Sequence, residues 1–161
     1  MNNDHAAHRE AVETVRGLIK GIEVAMLTTL TDEGLVSRPM KTQEVEFDGD
    51  LWFLTKESTD KYRQLRENPS VNVSYVGKSY VSIRGTAELV DDRDKLKQFW
   101  NPAYGKFLDT SIDDPNLVLI KIKAEAAEYW ETGNFTKMVK RMFSQLTGTE
   151  IETELNKTVK L

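Results

Sequence analysis

The sequence predicts a single, mainly β domain with peripheral helices, an α+β chain whose antiparallel strands close into a barrel or sandwich. Three observations predict it. Apolar runs of strand length follow one another across tight turns, which makes the sheet antiparallel. The run Tyr80 to Val90 alternates cleanly, with Val81, Ile83, Ala87 and Leu89 on one face and Ser82, Arg84, Thr86 and Glu88 on the other. Helix-period stripes occur outside these runs, and six or so strands of this kind close on themselves.

Each element has its own signal. Val12, Val15, Ile19 and Ile22 lie at helical spacing within His5 to Ile22, and Gly21 marks the end of that helix. Glu23 to Leu30 reads as a strand, and Thr31-Asp32-Glu33-Gly34 as a turn with Gly34 suited to a positive φ. The next strand, "LVSRPMKTQEVEF", contains Pro39, which cannot donate to a ladder. Its apolar parity also changes between Met40 and Val45, so a bulge or bend is expected there. Asp48-Gly49-Asp50 turns the chain into the strand Leu51 to Thr55. A short helix follows and ends before Pro69, since the residue preceding proline avoids helical geometry.

Val71 to Val76 and Tyr80 to Val90 form a hairpin across Gly77-Lys78. Asp91 or Asp92 caps a helix whose apolar face is Leu96, Phe99 and Trp100. Residues 101–116 read as loop. Residues 117–131 read as one long strand, or as two joined by a bend around Lys123 to Ala126. Phe135, Met138, Val139, Met142, Phe143 and Leu146 make a helical stripe, with Lys137, Lys140 and Arg141 on its wet face. The final dozen residues are polar and are expected to fray. One domain over residues 1–161 fits the length.

Composition narrows function. The mild net charge of −4 argues against a general nucleic-acid or anionic-membrane binder, while leaving room for a local basic patch. No cysteine is present, so disulfides, thiolate catalysis and cysteine zinc sites are excluded. No apolar signal region opens the chain and no run approaches membrane-spanning length, so a cytoplasmic protein is expected. His5 and His8 are the only histidines, and they sit on a terminal helix without a third ligand. Neither a metal site nor a Ser-His-Asp triad is expected. There is no Walker loop and no dinucleotide glycine fingerprint.

Two cations stand out. Arg38 shares strand parity with Val36 and Met40, so it points toward an apolar side and needs an anionic partner, a carboxylate or a ligand phosphate. Lys61 lies in the first turn of a helix, where its charge opposes the helix dipole. A helix start offering Ser58, Thr59, backbone N–H groups and a lysine suits an anion. Trp130 adds a planar side chain near a strand end. An arginine, a lysine and an aromatic suit a flat, phosphate-bearing cofactor, without singling out flavin.

The segments "VAMLTTLTDEGLVSRPM", "LWFLTKESTDKYRQLRENPSVNVSYV", "YVSIRGTAELV" and "AEYWE", in this order and spacing, resemble the pyridoxamine 5′-phosphate oxidase-like flavoproteins, and among them the bacterial general stress proteins. The resemblance spans about Val15 to Phe143. It implies a six-stranded antiparallel split barrel, a homodimer, and FMN or FAD in a cleft between subunits. The implied cofactor-binding residues are Arg38 with Pro39 and Met40 on the second strand, Leu54 and Thr55 beside the ring, and Ser58, Thr59 and Lys61 at the phosphate. Tyr80 and Trp130 complete the set, with Trp130 flanking the flavin of the partner chain. NAD(P)H or a small molecule is the implied redox partner, and a non-enzymatic flavin-binding stress protein is the alternative. Other cofactors of the superfamily rank lower: F420 favours a more basic pocket, and haem lacks a ligating histidine.

The departures concern the oxidase itself. Gln43 stands where the oxidase has a lysine, Asp60-Lys61 where it has Arg-Lys, and Tyr80 where it has a glutamine. Its C-terminal arginine and histidine have no match after Trp130. Oxidation of pyridoxamine phosphate is therefore not expected, and no catalytic residue is assigned.

Overall fold

The structure is a computed structural model that describes residues 2–43, 47–131 and 157–161. Its elements are α1 (Asn2–Ile19), β1 (Val24–Thr31), β2 (Gly34–Lys41), β3 (Asp50–Lys56), α2 (Asp60–Glu67), β4 (Ser70–Val76), β5 (Ser79–Val90), α3 (Arg93–Phe99), α4 (Pro102–Leu108), β6 (Leu117–Glu131) and β7 (Lys157–Lys160). The strands form one antiparallel sheet in the order β2-β1-β4-β5-β6-β3, with β7 also paired to β6. β3 and β7 share one flank of the long β6. β3 pairs with Leu117 to Lys123, and β7 with Ala126 to Tyr129.

The expected mainly β split barrel is therefore present, with seven strands in place of six. The added strand lies in the tail expected to fray. Its residues bury little, so period and hydrophobicity gave no sign of it; the open half-edge of β6 supplies its ladder.

Local chemistry sets the bends. Gly34 and Gly49 adopt φ of 109° and 113° at the turns into β2 and β3. The register shifts between Arg84, opposite Ala126, and Gly85, opposite Ala124, so Glu125 is the extra residue of a β-bulge. This is where the sequence placed a bend, and one continuous strand runs through it. Gly85 is required there, because a Cβ would lie 2.3 Å from the Lys123 carbonyl oxygen. Within β2 the ladder is regular from Gly34 to Lys41. The expected parity change reaches residues 44–46, outside the described residues, as does the helical stripe from Phe135 to Leu146 with its basic face.

Inward-facing Leu27, Phe53, Val73, Ile83 and Ile122 form the barrel core, with Val15 of α1 and Leu65 of α2 packed onto it. A second apolar cluster covers the outside of β3 and β6, where Leu54, Leu117 and Leu119 meet Leu96 of α3 and Tyr104 of α4. Both faces of β3 are thus covered, which explains the unbroken run Leu51-Trp52-Phe53-Leu54. Asp92 caps α3, its carboxylate accepting from Lys95 N at 3.0 Å.

α4 corrects the expected loop. Asn101 caps it, accepting from Ala103 N at 2.8 Å, with Pro102 in the first turn. Seven residues with Gly105 among them are a poor helix alone. Packing of Tyr104, whose hydroxyl donates to the Thr42 carbonyl at 2.5 Å, supplies what propensity lacks. Among the described residues, no helix is long and apolar enough to cross a membrane.

Candidate functional site

β2 and the β3–α2 junction build the site. Arg38 lies opposite Leu27 and on the parity of buried Met40, as the sequence implied. The guanidinium is thereby drawn off the solvent side. Its Nη1 is buried and has no hydrogen-bond partner.

β3 stops at Lys56, and the chain turns immediately. Glu57 N donates to the Asn116 carbonyl at 2.7 Å, and the Thr59 hydroxyl donates to the Lys56 carbonyl at 2.8 Å. Thr59 is the N-cap of α2, and its hydroxyl oxygen accepts from Tyr62 N at 3.4 Å. The helix start lays Lys61 back over the strand end, where its Nζ donates to Thr55 Oγ1 at 3.4 Å. Thr55 is 1% exposed, and its hydroxyl is 3.5 Å from that of Thr59.

Burial, and then the neighbouring charge of Arg38, hold the Lys61 ammonium down at about 8. Two cations therefore share one partly desolvated space. Among the described residues neither forms an ion pair with a carboxylate. Asp60 is turned away, exposed and paired with Arg63 at 3.4 Å. It does not neutralise Lys61. A pair of cations beside two hydroxyls and a helix N-terminus can hold a multiply charged oxyanion.

The structure thus brings Arg38, Thr55, Thr59 and Lys61 together. The other expected residues sit differently. Ser58 is exposed, with no side-chain hydrogen bond among the described residues. Pro39 is exposed next to the site. Met40 is buried in the barrel core and Leu54 in the outer cluster, so these two offer a ligand only their backbone. Tyr80 and Trp130 are directly opposite each other on β5 and β6, 48% and 36% exposed. They lie on the outer face of the sheet, whereas Arg38 is on the inner parity three strands from β5. Within one chain they do not join the cation pair.

Sequence reasoning missed a cavity of about 550 Å³ between α1, the end of β2 and β3. Gln43, the position of the oxidase lysine, lines this cavity. Contacts between distant elements make it, so no local pattern announces it.

The second strand of the split barrel and the helix between β3 and β4 thus bring two cations together, with no carboxylate paired to either among the described residues. The chain belongs to the pyridoxamine 5′-phosphate oxidase-like family, whose model matches residues 10–152. It is 29% identical over 119 residues to protein bli-3 of Neurospora crassa, covering 65% of this chain and 57% of that relative, so it spans little more than half of the relative's length. The structure is similar to general stress protein 26 of Bacillus anthracis strain Sterne, with a TM-score of 0.65 and 27% identity over 73% of this chain and 92% of that one. It also shares its fold with the general stress FMN/FAD binding protein of Xanthomonas citri, at a TM-score of 0.64 and 24% identity over 77% and 90% of the two chains.

Proposed function

We propose that this chain is a general-stress-type flavoprotein that binds FMN, with FAD as a longer alternative, in a cleft between two copies of itself. The observation that carries the reading is the buried, unpartnered Nη1 of Arg38 beside the half-desolvated Lys61. Two adjacent cations without a carboxylate are costly unless an anion joins them. The phosphate of FMN supplies that anion, and Thr55 and Thr59 add hydroxyls. The exposed Pro39 and the backbone of Met40 and Leu54 border the ring. Tyr80 and Trp130 face outward, so they reach a flavin held by the partner copy.

When bound, the flavin supplies hydride and electron chemistry, and NAD(P)H or a small molecule is its redox partner in this reading. The chain's own residues bind and orient it. No side chain among the described residues is assigned as acid, base or nucleophile. Oxidation of pyridoxamine phosphate is not part of the proposal.

Titration of the purified full chain with FMN, FAD and riboflavin, followed by flavin fluorescence, tests it, with sedimentation reporting the dimer. FMN is expected to bind at micromolar concentration or below, and riboflavin more weakly. A folded dimer that quenches none of the three would overturn the assignment. Reduction of bound FMN by NADH or NADPH then separates an oxidoreductase from a protein that binds flavin without turnover.

A further inference from the structure

The cavity under α1 is separate from the cation pair and has a chemistry of its own. At about 550 Å³ it matches the volume of a small-molecule site. Its walls include Ile19, Phe47, Leu51 and Phe53, and the last three are buried core residues. Two polar groups break this apolar lining. Tyr75 is 3% exposed, lines the cavity, and its hydroxyl forms no hydrogen bond among the described residues. The Gln43 Nε2 is buried and also without a partner.

A buried donor left unpaired is costly, so the Gln43 Nε2 beside this cavity needs an explanation, and the unbonded Tyr75 hydroxyl is a second donor on the same lining. Burial raises the Tyr75 phenol above its ordinary value, so it stays protonated and remains a donor. Of the charged residues around the cavity, Glu13 and Lys20 are exposed and the others are engaged. Arg16 Nε donates to the Phe47 carbonyl at 2.7 Å, Lys41 pairs with Glu23 at 3.7 Å, and Asp50 pairs with Lys121 at 3.4 Å.

We propose that this cavity binds a flat, neutral, apolar molecule carrying a hydrogen-bond acceptor, in the simplest case an aromatic ketone, whose carbonyl oxygen accepts from Tyr75 and Gln43. The apolar walls cover the ring system, and the acceptor satisfies both orphaned donors. The site does not depend on the flavin reading, and flavin titration serves as its internal control.

Three naphthalenes of similar size test it by calorimetry on the full chain: 2-acetylnaphthalene, 2-ethylnaphthalene and 2-naphthoate. The ketone is expected to bind saturably, one per chain, with the hydrocarbon and the carboxylate roughly tenfold or more weaker. Tyr75→Phe removes only an unpaired hydroxyl, so the variant is expected to fold. It should weaken the ketone roughly tenfold, leave 2-ethylnaphthalene unchanged, and leave FMN binding unchanged. Absent or non-saturable ketone binding, equal binding of ketone and hydrocarbon, tighter binding of the carboxylate, or a ketone affinity indifferent to Tyr75→Phe would each overturn the proposal. The ligand comparison decides the matter even if the variant folds poorly.

Discussion

Replacing Arg38 with methionine keeps an apolar stem in the barrel wall and removes the guanidinium. The buried Nη1 has no partner among the described residues, so part of its desolvation comes with folding and not with ligand binding. A charge-assisted hydrogen bond to phosphate then contributes about 1.5–3 kcal/mol. Arg38→Met should raise the FMN dissociation constant by about ten- to hundredfold. Riboflavin has the ring and no phosphate, so its affinity should move by less than about twofold. The empty variant should be as stable as the parent or more so, because an unpaired buried charge has been removed. Paired fluorescence titrations and a thermal melt read all three quantities. Equal weakening of FMN and riboflavin, or a melting temperature lowered by several degrees, would refute the reasoning and make Arg38 a structural residue.

Lys61 gives a pH dependence. With its ammonium at about 8, FMN affinity should be full below that pH and fall as pH rises through it, while riboflavin stays flat and Lys61→Met abolishes the FMN slope. In the empty protein the lowered value means that the unfolded chain holds the extra proton between about pH 8 and 10.5, so the Lys61 contribution to stability rises across that window; denaturant titrations of parent and Lys61→Met would show it. Gly85→Ala places a Cβ against the Lys123 carbonyl and should cost about 3 kcal/mol or more in denaturant unfolding, if the variant folds at all. Asp92→Ala removes the α3 cap and should cost about 1 kcal/mol, lowering the melting temperature by roughly 2–4 °C with FMN affinity unchanged.

What could be read in the sequence was what local chemistry dictates. The Arg38 orientation followed from strand parity, and the Lys61 anomaly from helix electrostatics. Gly34 and Asp92 announced a turn and a cap. The position of the β6 bulge showed as a break near Lys123 to Ala126. What could not be read depends on distant partners. α4 exists through Tyr104 and its bond to the Thr42 carbonyl, and β7 through the unfilled edge of β6. Asp60, which stands where the oxidase has an arginine, turns out to face Arg63 and solvent. The orphaned Tyr75 lies on a strand whose alternation is ordinary, so only the assembled cavity makes it notable.

The central claim is that Arg38 and Lys61 together form a phosphate site. A crystal structure of the full chain with FMN tests it most directly. The account predicts phosphate oxygens about 2.7–2.9 Å from the Arg38 guanidinium and the Lys61 ammonium, with Thr55 or Thr59 as a further donor. A phosphate bound elsewhere, with Arg38 Nη1 still unpaired, would contradict it.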